Sequence, residues 1–359
     1  MKERVVVAMS GGVDSSVAAA LLNSRGYEVI GITMCFNLAD TSRRKPACCG
    51  VQGIEDALRV ANQLNIRHYV LNMQKVLQEK VIKDFCREYM EGRTPNPCVR
   101  CNQFIKFDQL LKKARSLDAR FLATGHYARI TRNRYYWLAK ARDLHKDQSY
   151  FLYRLGQEQL KHILFPVGDY TKLQVRALAR KFGLDVAGKP ASQEICFLPG
   201  TDYREFLKQA IKKAFKPGLV VDRKGEILGR HKGVAYYTIG QREGLGIARG
   251  YPIYITKIDA ANNQITVGGK DDCLHKEFLV KEISFIARPF KEQVVLGVKI
   301  RYNHKEARAV ALPLGDKIKI KFKQAQFAVT PGQSAVFYAK DKVVGGGIIE
   351  KVLDEKRRI

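Results

Sequence analysis

The first half of the chain alternates short β-branched apolar runs with helical patterns. Val5 to Met9 precedes Val13 to Leu22, Val29 to Met34 precedes Ile54 to Leu64, and Tyr69 to Leu71 precedes Val76 to Tyr89. Strands separated by helix-length connections pair in parallel, because only a long crossover returns the chain to the same end of the sheet. A further helical pattern, Phe104 to Ala114, leads into Phe121 to Thr124, a fourth strand that ends at Gly125-His126. The expectation is a doubly wound α/β domain with a parallel sheet. Ligands of such sheets bind beyond the carboxyl ends of the strands, so Ser10 to Ser15, Met34 and Gly125 should face one crevice.

From about Thr201 the texture changes. Gly and Pro punctuate short segments, as in Lys216-Pro217-Gly218, Asp222 to Gly225 and Gly240 to Gly246, and helical periodicity largely disappears. Lys317-Ile318-Lys319-Ile320-Lys321-Phe322-Lys323 alternates strictly, which reads as a half-buried strand with a lysine face. That face has two readings, contact with phosphate or protection of a sheet edge.

The 359 residues carry 63 Lys or Arg against 35 Asp or Glu, a formal charge of +28, and such an imbalance points to a polyanionic partner such as nucleic acid. The excess persists beyond Lys276, so no one domain owns it. The apolar run after the basic N-terminus is too short for a signal peptide, and no stretch is long and apolar enough to span a membrane. A cytoplasmic protein is expected. Its eight cysteines (Cys35, Cys48, Cys49, Cys86, Cys98, Cys101, Cys196, Cys273) are then buried, catalytic or metal-bound rather than structural disulfides.

After the first strand comes Ser10-Gly11-Gly12-Val13-Asp14-Ser15-Ser16, opening an apolar helix. Glycines there let backbone N–H groups approach an anion, and the helix N-terminus adds its positive dipole end. The segment lacks the lysine of an ordinary ATPase loop and the spacing of a dinucleotide fingerprint. The plain alternative is a structural turn capped by Ser10 or Asp14. The stretch resembles the PP-loop of the ATP-dependent adenylating superfamily that includes GMP synthetases, argininosuccinate synthases and tRNA thiolases. That resemblance implies cleavage between the α and β phosphates, with Asp14 assisting Mg²⁺ or the phosphates.

Gly92 to Asn102 holds two prolines that fix a rigid loop presenting Cys98 and Cys101, and a third thiol, Cys196, ends Ser192-Gln193-Glu194-Ile195-Cys196. A C-x-x-C pair favours redox or metal chemistry, and a thiolate made by a nearby cation is a strong nucleophile. Arg93 and Arg100 are candidates for that cation. A structural zinc half-site is the competing reading, although no second C-x-x-C completes it. Alone, Cys196 would read as a buried inert thiol.

Six motifs in order then resemble the bacterial tRNA-specific 2-thiouridylases over essentially the whole chain: Ser10 to Ser16, Gly92 to Pro97 with Cys101-Asn102, Ala123 to Arg129, Lys146 to Leu152, Ser192 to Phe197, and Thr238 to Gly246. The family adenylates the C2 carbonyl oxygen of a tRNA wobble uridine and replaces that oxygen with sulfur. By resemblance, Cys101 is the nucleophile and Cys196 receives sulfur as a persulfide. ATP would bind at Ala8, Met9, Ser10, Gly11, Gly12, Val13, Asp14, Ser15, Met34 and Gly125. Asn96, Pro97 and Cys98 would touch the target base, and His126, Lys146, Asp147, Gln148, Arg301, Tyr302 and Gln333 would contact tRNA. Against these stand a packed core histidine at 126, a solvated loop at 146–148, and ordinary surface at 301, 302 and 333.

The resemblance also divides the chain into a catalytic domain (1–200), a small central domain (201–274) and a C-terminal β-barrel (275–359). It implies Mg-ATP, tRNAs for lysine, glutamate and glutamine, a cysteine desulfurase or sulfur-relay protein as donor, and a monomer. A Cys101–Cys196 disulfide, found in some members, stays open. One departure matters: better-studied members carry aspartate where this chain has Cys98. Two schemes follow, a 4Fe–4S cluster held by Cys98, Cys101 and Cys196, or a persulfide route through Cys101 and Cys196 alone. An amidoligase of the argininosuccinate or GMP synthetase type, or a tRNA-binding protein using ATP structurally, are the remaining alternatives.

Overall fold

The computed structural model describes residues 2–36, 51–190, 195–198, 202–211, 215–247 and 249–353. Cys48, Cys49 and Ser192 to Glu194 lie outside them. Two compact units emerge, one of residues 1–81, 97–200 and 341–343, the other of 82–96, 201–340 and 344–359. Among the described residues no helix is long and apolar enough to cross a membrane.

The first unit is built on β1 (Arg4–Ala8), α1 (Val13–Ser24), β2 (Glu28–Cys35), α2 (Val51–Gln63) and β3 (Arg67–Asn72). Then come α3 (Gln74–Leu77) and a π-helical turn, Gln78–Ile82, which runs into α4 (Lys83–Met90) in the second unit. The single helix expected over Val76 to Tyr89 is thus interrupted. Helix α5 (Pro97–Cys101) is followed by a π-helical stretch, Asn102–Gln109, then α6 (Leu110–Arg115) and β4 (Phe121–Thr124). The hairpin β5 (Ala128–Arg132) and β6 (Tyr136–Lys140), α7 (Gln157–Leu160), β7 (Ile163–Leu164) and α8 (Lys172–Lys181) complete the unit.

The sheet runs β3-β2-β1-β4-β7, every pairing parallel. Five strands stand where four were expected, because the two residues of β7 are too few to leave a periodic signature. Val5, Val6 and Val7 are completely buried, which is why β1 reads as an unbroken apolar run rather than an alternation. Helix α1 buries residues all round, from Val13 to Leu22. Strand order reverses between β1 and β4, so the switch-point crevice lies where β1 ends at Ala8 and β4 at Thr124.

In the second unit, α9 (Tyr203–Ala210) is a helix in the stretch where helical periodicity largely disappears. Its Asp202 cap accepts from the Arg204 N–H at 2.9 Å, and Tyr203 stacks on Tyr89 of α4 with ring centroids 4.8 Å apart. Strands β8 (Gly218–Val221), β9 (Ile227–His231), β10 (Tyr254–Asp259) and β11 (Gln264–Gly268) form a four-stranded sheet in the order β10-β11-β8-β9. The remaining strands are β12 (Leu274–Phe285), β13 (Val294–Lys299), β14 (Ala307–Leu314), β15 (Lys317–Phe327), β16 (Ser334–Ala339) and β17 (Lys342–Leu353). They follow one another as β12-β15-β14-β13-β16-β17, and β17 pairs back onto β12 to close a six-stranded barrel.

The alternation at 317–323 is a barrel strand: Ile318, Ile320 and Phe322 are buried while the lysines point outward. Edge protection is not their role, because β15 is paired on both sides, by β12 and β14. Glu277 binds Lys319 at 2.6 Å and Lys321 at 2.7 Å, and Glu350 binds Lys317 at 2.8 Å. Much of the row's charge is therefore neutralised within the barrel.

Candidate functional site

The turn from β1 into α1 forms the core of the site. Gly12 occupies the N-cap of α1, and among the described residues no side chain caps the helix, so neither Ser10 nor Asp14 plays the structural part considered for it. Ser15 instead folds back: its hydroxyl donates to the Gly12 carbonyl at 3.1 Å and accepts from the Ser10 N–H at 3.1 Å. Gly11 adopts φ +72°, and a Cβ there would lie 2.3 Å from the Gly53 carbonyl oxygen, so only glycine fits this bend. The result is a backbone-lined turn with helix N–H donors free of side-chain caps, a chemistry suited to phosphate.

The strand ends deliver the other expected nucleotide residues to the same side. Ala8, Met9 and Met34 stand at or just past the carboxyl ends of the adjacent parallel strands β1 and β2, and the Met9 carbonyl accepts from the Thr33 hydroxyl at 2.9 Å. Gly125 follows β4 directly and packs against Asp14 and Ser15. Val13 is buried in the helix's first turn.

Asp14 has acquired company that the sequence did not announce. Its Oδ1 accepts from the Tyr127 hydroxyl at 2.8 Å and pairs with the Lys172 ammonium at 2.5 Å. Burial, reinforced by the Asp14 charge, pushes the Tyr127 phenol well above its ordinary range, so it remains a donor. Lys172, the first residue of α8, was not among the expected site residues. Nothing in its local sequence separates it from other helix-start lysines; only the topology brings it to the loop.

The thiols sit differently from expectation. Pro97 is the first residue of α5, the helical position that a missing N–H suits, and Cys98 and Cys101 therefore lie on a helix rather than a loop. Cys101 is buried, Cys98 half-buried, Cys196 exposed, and none is in a disulfide. Burial pushes the Cys98 thiol up to about 11, with the charge of Cys196 adding to the rise and that of Lys106 opposing it. Cys98 and Cys196 are thus near neighbours electrostatically. Lys106 is a cation that acts on Cys98; of the two arginines expected near the thiols, Arg93 is engaged by Glu88 at 2.6 Å and by Glu91, and Arg100 reaches Gln103. Among the described residues no three His, Cys, Asp or Glu side chains are placed to hold a metal ion. The described residues therefore lend the iron–sulfur scheme no support.

The expected tRNA contacts of the first unit are largely turned inward. His126 is buried between Phe107 and Phe165; its Nδ1 lies 2.7 Å from the Thr124 hydroxyl and its Nε2 3.5 Å from the Lys106 ammonium. An ammonium can only donate, so Nε2 accepts and the ring is neutral with its proton on Nδ1. Burial and the Lys106 charge both hold its pKa well below the usual value. Asp147 is also buried, accepting from the Ala141 and Ser149 N–H groups and the Ser149 hydroxyl. Gln148 is clasped to Tyr127 through both its backbone N–H and its side-chain oxygen, while Lys146 is partly exposed. The 146–148 segment is a braced loop rather than a merely solvated one.

In the second unit, Arg301 and Gln333 line a cleft of about 530 Å³ with Thr94, Tyr203, Thr238 and Phe327. Gln333 Nε2 donates to the carbonyls of Thr94 at 2.9 Å and Pro95 at 3.3 Å, fixing the segment that carries Asn96. Arg301 donates to the Phe327 carbonyl at 3.2 Å, and Tyr302 lies under the Lys299 ammonium at 5.7 Å from its ring centre.

Residues 3–200 match the family model described as the tRNA methyl transferase HUP domain, 204–269 its PRC-barrel domain, and 275–349 the aminomethyltransferase beta-barrel domain. The tRNA-specific 2-thiouridylase MnmA 1 of Caldanaerobacter subterraneus subsp. tengcongensis is 51% identical across 98% of this chain and 99% of its own. The tRNA-specific 2-thiouridylases MnmA of Acetivibrio thermocellus and Clostridium acetobutylicum are 50% and 48% identical, across 97% and 98% of this chain and 99% and 100% of theirs. With an uncapped glycine turn, a thiol-bearing helix and this extent of identity, the chain belongs to the tRNA-specific 2-thiouridylase family.

Proposed function

We propose that the chain thiolates the wobble uridine of tRNA at C2 at the expense of ATP. The observation that carries the reading is the uncapped turn from Ser10 to Ser16 at the switch point of the parallel sheet, in a chain that belongs to this family along nearly its whole length. An amidoligase would share the turn, but full-length membership of the thiouridylase family disfavours it.

Mg-ATP lies with its phosphates on the turn, its nucleotide flanked by Met34 and Gly125. The uridine O2 attacks the α-phosphorus, the bond to the β-phosphate bridging oxygen breaks, and pyrophosphate leaves. C2 then carries AMP, a far better leaving group than the carbonyl oxygen. The terminal sulfur of a Cys196 persulfide attacks C2 and expels AMP. Cys101 next attacks the Cys196 sulfur, freeing 2-thiouridine and leaving a Cys101–Cys196 disulfide that a cellular dithiol reduces. The exposure of Cys196 suits a residue that must be reloaded by a separate sulfur-donor protein, and the burial of Cys101 suits one that acts only inside the site. Asn96, Pro97 and Cys98 border the target base, with the excess of basic residues drawing the tRNA, and the working unit is a monomer in the cytoplasm.

Mass spectrometry of the wobble nucleoside after unmodified lysine, glutamate or glutamine tRNA is incubated with protein, Mg-ATP and a desulfurase tests the reading. 2-Thiouridine should form only with ATP and vanish in Cys101→Ala and Cys196→Ala, while Cys98→Ala retains activity. AMP production with an amino-acid or purine acceptor and no thiolation would overturn it. Anaerobic purification with iron analysis checks the thiol scheme separately, since a fully active protein free of iron is expected.

A further inference from the structure

The residues Ser10 to Ser16 contain no cation, and their one charged side chain, Asp14, is negative. A turn that must receive pyrophosphate therefore has to obtain positive charge from elsewhere, since charge accumulating on a leaving group is stabilised by donors and cations placed where it develops. Among the described residues, an ammonium reaches the first turn of α1. Lys172, remote in sequence, reaches Asp14 at 2.5 Å with its side chain only 14% exposed.

Its placement is determined from three directions. Thr171 caps α8 by accepting from the Gln174 N–H at 3.3 Å, and Gln174 returns a bond to the Thr171 N–H at 2.9 Å, which fixes where the helix begins. The Lys172 N–H donates to Asp143 at 3.0 Å, and the side chain runs past the Tyr127 ring, its ammonium 5.8 Å from the ring centre. Tyr127 also donates to the Asp14 oxygen that Lys172 binds. Two other described cations near Gly11 are differently committed. Arg59 and Lys189 both close on Asp56, a carboxylate only 1% exposed that lies behind Gly11.

We propose that Lys172 is a catalytic residue of the adenylation step: its ammonium binds the departing pyrophosphate, and Asp14 and Tyr127 are the positioning residues that hold it at the turn. This rests on the adenylating function proposed above. When uridine O2 displaces pyrophosphate from the α-phosphorus, the electron pair of the broken bond stays on the β-phosphate oxygen. Lys172 offsets that charge without giving up its proton. A carboxylate inside a phosphate-binding turn, otherwise repulsive, is thereby explained as the anchor of the cation.

The test compares wild type, Lys172→Met and Lys172→Arg in tRNA-dependent pyrophosphate release and in binding of inorganic pyrophosphate with Mg²⁺ by calorimetry. Lys172→Met should lower kcat about a hundredfold and weaken pyrophosphate binding at least tenfold, with Lys172→Arg recovering much of both. Thermal melting separates a purely structural tie: a lower melting temperature in Lys172→Met with unchanged pyrophosphate affinity and kcat overturns the proposal. Should wild type release no pyrophosphate with tRNA, the tRNA reading fails by itself. Weaker pyrophosphate binding by Lys172→Met would then still support the lysine's role, and equal binding would refute it.

Discussion

Gly125 stands directly against the first turn of α1: a Cβ there would lie 2.6 Å from the Ser15 backbone nitrogen and 2.7 Å from the Asp14 carbonyl carbon. Both atoms belong to helical backbone and cannot move aside as a flexible side chain would. A single methyl at this position must therefore push β4 and α1 apart at the crevice. Gly125→Ala is expected to cost about 1–3 kcal/mol of stability, as overpacking does, and to raise the dissociation constant for ATP at least tenfold. Denaturant unfolding and nucleotide titration check both; ATP affinity equal to wild type would show that the crevice does not take the nucleotide.

The thiols should separate by reactivity. Cys196 is exposed, whereas burial pushes Cys98, Cys86 and Cys273 each up to about 11, which leaves them protonated at neutral pH. Because the thiolate is the nucleophile, iodoacetamide at pH 7.5 should modify Cys196 before any of these three. Peptide mass spectrometry over a time course reads the order. Alkylation of Cys98 at a rate matching Cys196 would contradict the protonated state.

His126 gives the protein a pH dependence of known sign. Its folded pKa lies below the ordinary 6.5, so the unfolded chain binds the proton more readily. Stability is complete above about 6.5 and is lost progressively as pH falls below it. His68 and His231 are lowered as well, and His304 is held at about 4, each chiefly by burial, so they add to the same trend. The melting temperature should fall between pH 7 and pH 5, and His126→Gln should flatten that decline. An equally steep decline in the variant would assign the effect to the other three histidines.

The parallel sheet and the glycine turn that opens α1 were legible because both rest on local signals: unbroken β-branched runs for strands buried on both faces, and glycines between a strand and a helix. What local sequence could not carry was juxtaposition. Asp14 and Tyr127 stand in quoted motifs, yet their meeting with Lys172 depends on α8 packing beside α1. The C-x-x-C segment was read as a loop because its two prolines outweighed its helical spacing, although proline at a first helical position is favourable. Likewise, the sequence around Asp147, which the resemblance implies as a tRNA contact, gives no sign that its carboxylate turns inward to Ser149.

Gln333 separates two roles that a binding assay alone would confuse. Its amide nitrogen donates to the carbonyls of Thr94 and Pro95, and the Thr94 N–H in turn donates to the Pro331 carbonyl at 2.9 Å. These bonds tie the barrel's 331–333 turn to the backbone leading into Asn96. Gln333→Ala removes two hydrogen bonds, each worth about 0.5–1.5 kcal/mol, and leaves two carbonyls in need of water. If Gln333 acts by bracing this segment, kcat for thiolation should drop about tenfold while KM for tRNA and for ATP stays near wild type. If it instead contacts tRNA directly, KM for tRNA should rise with kcat little changed. The braced geometry predicts the first outcome, because the donor that would reach RNA is already engaged by the protein's own backbone.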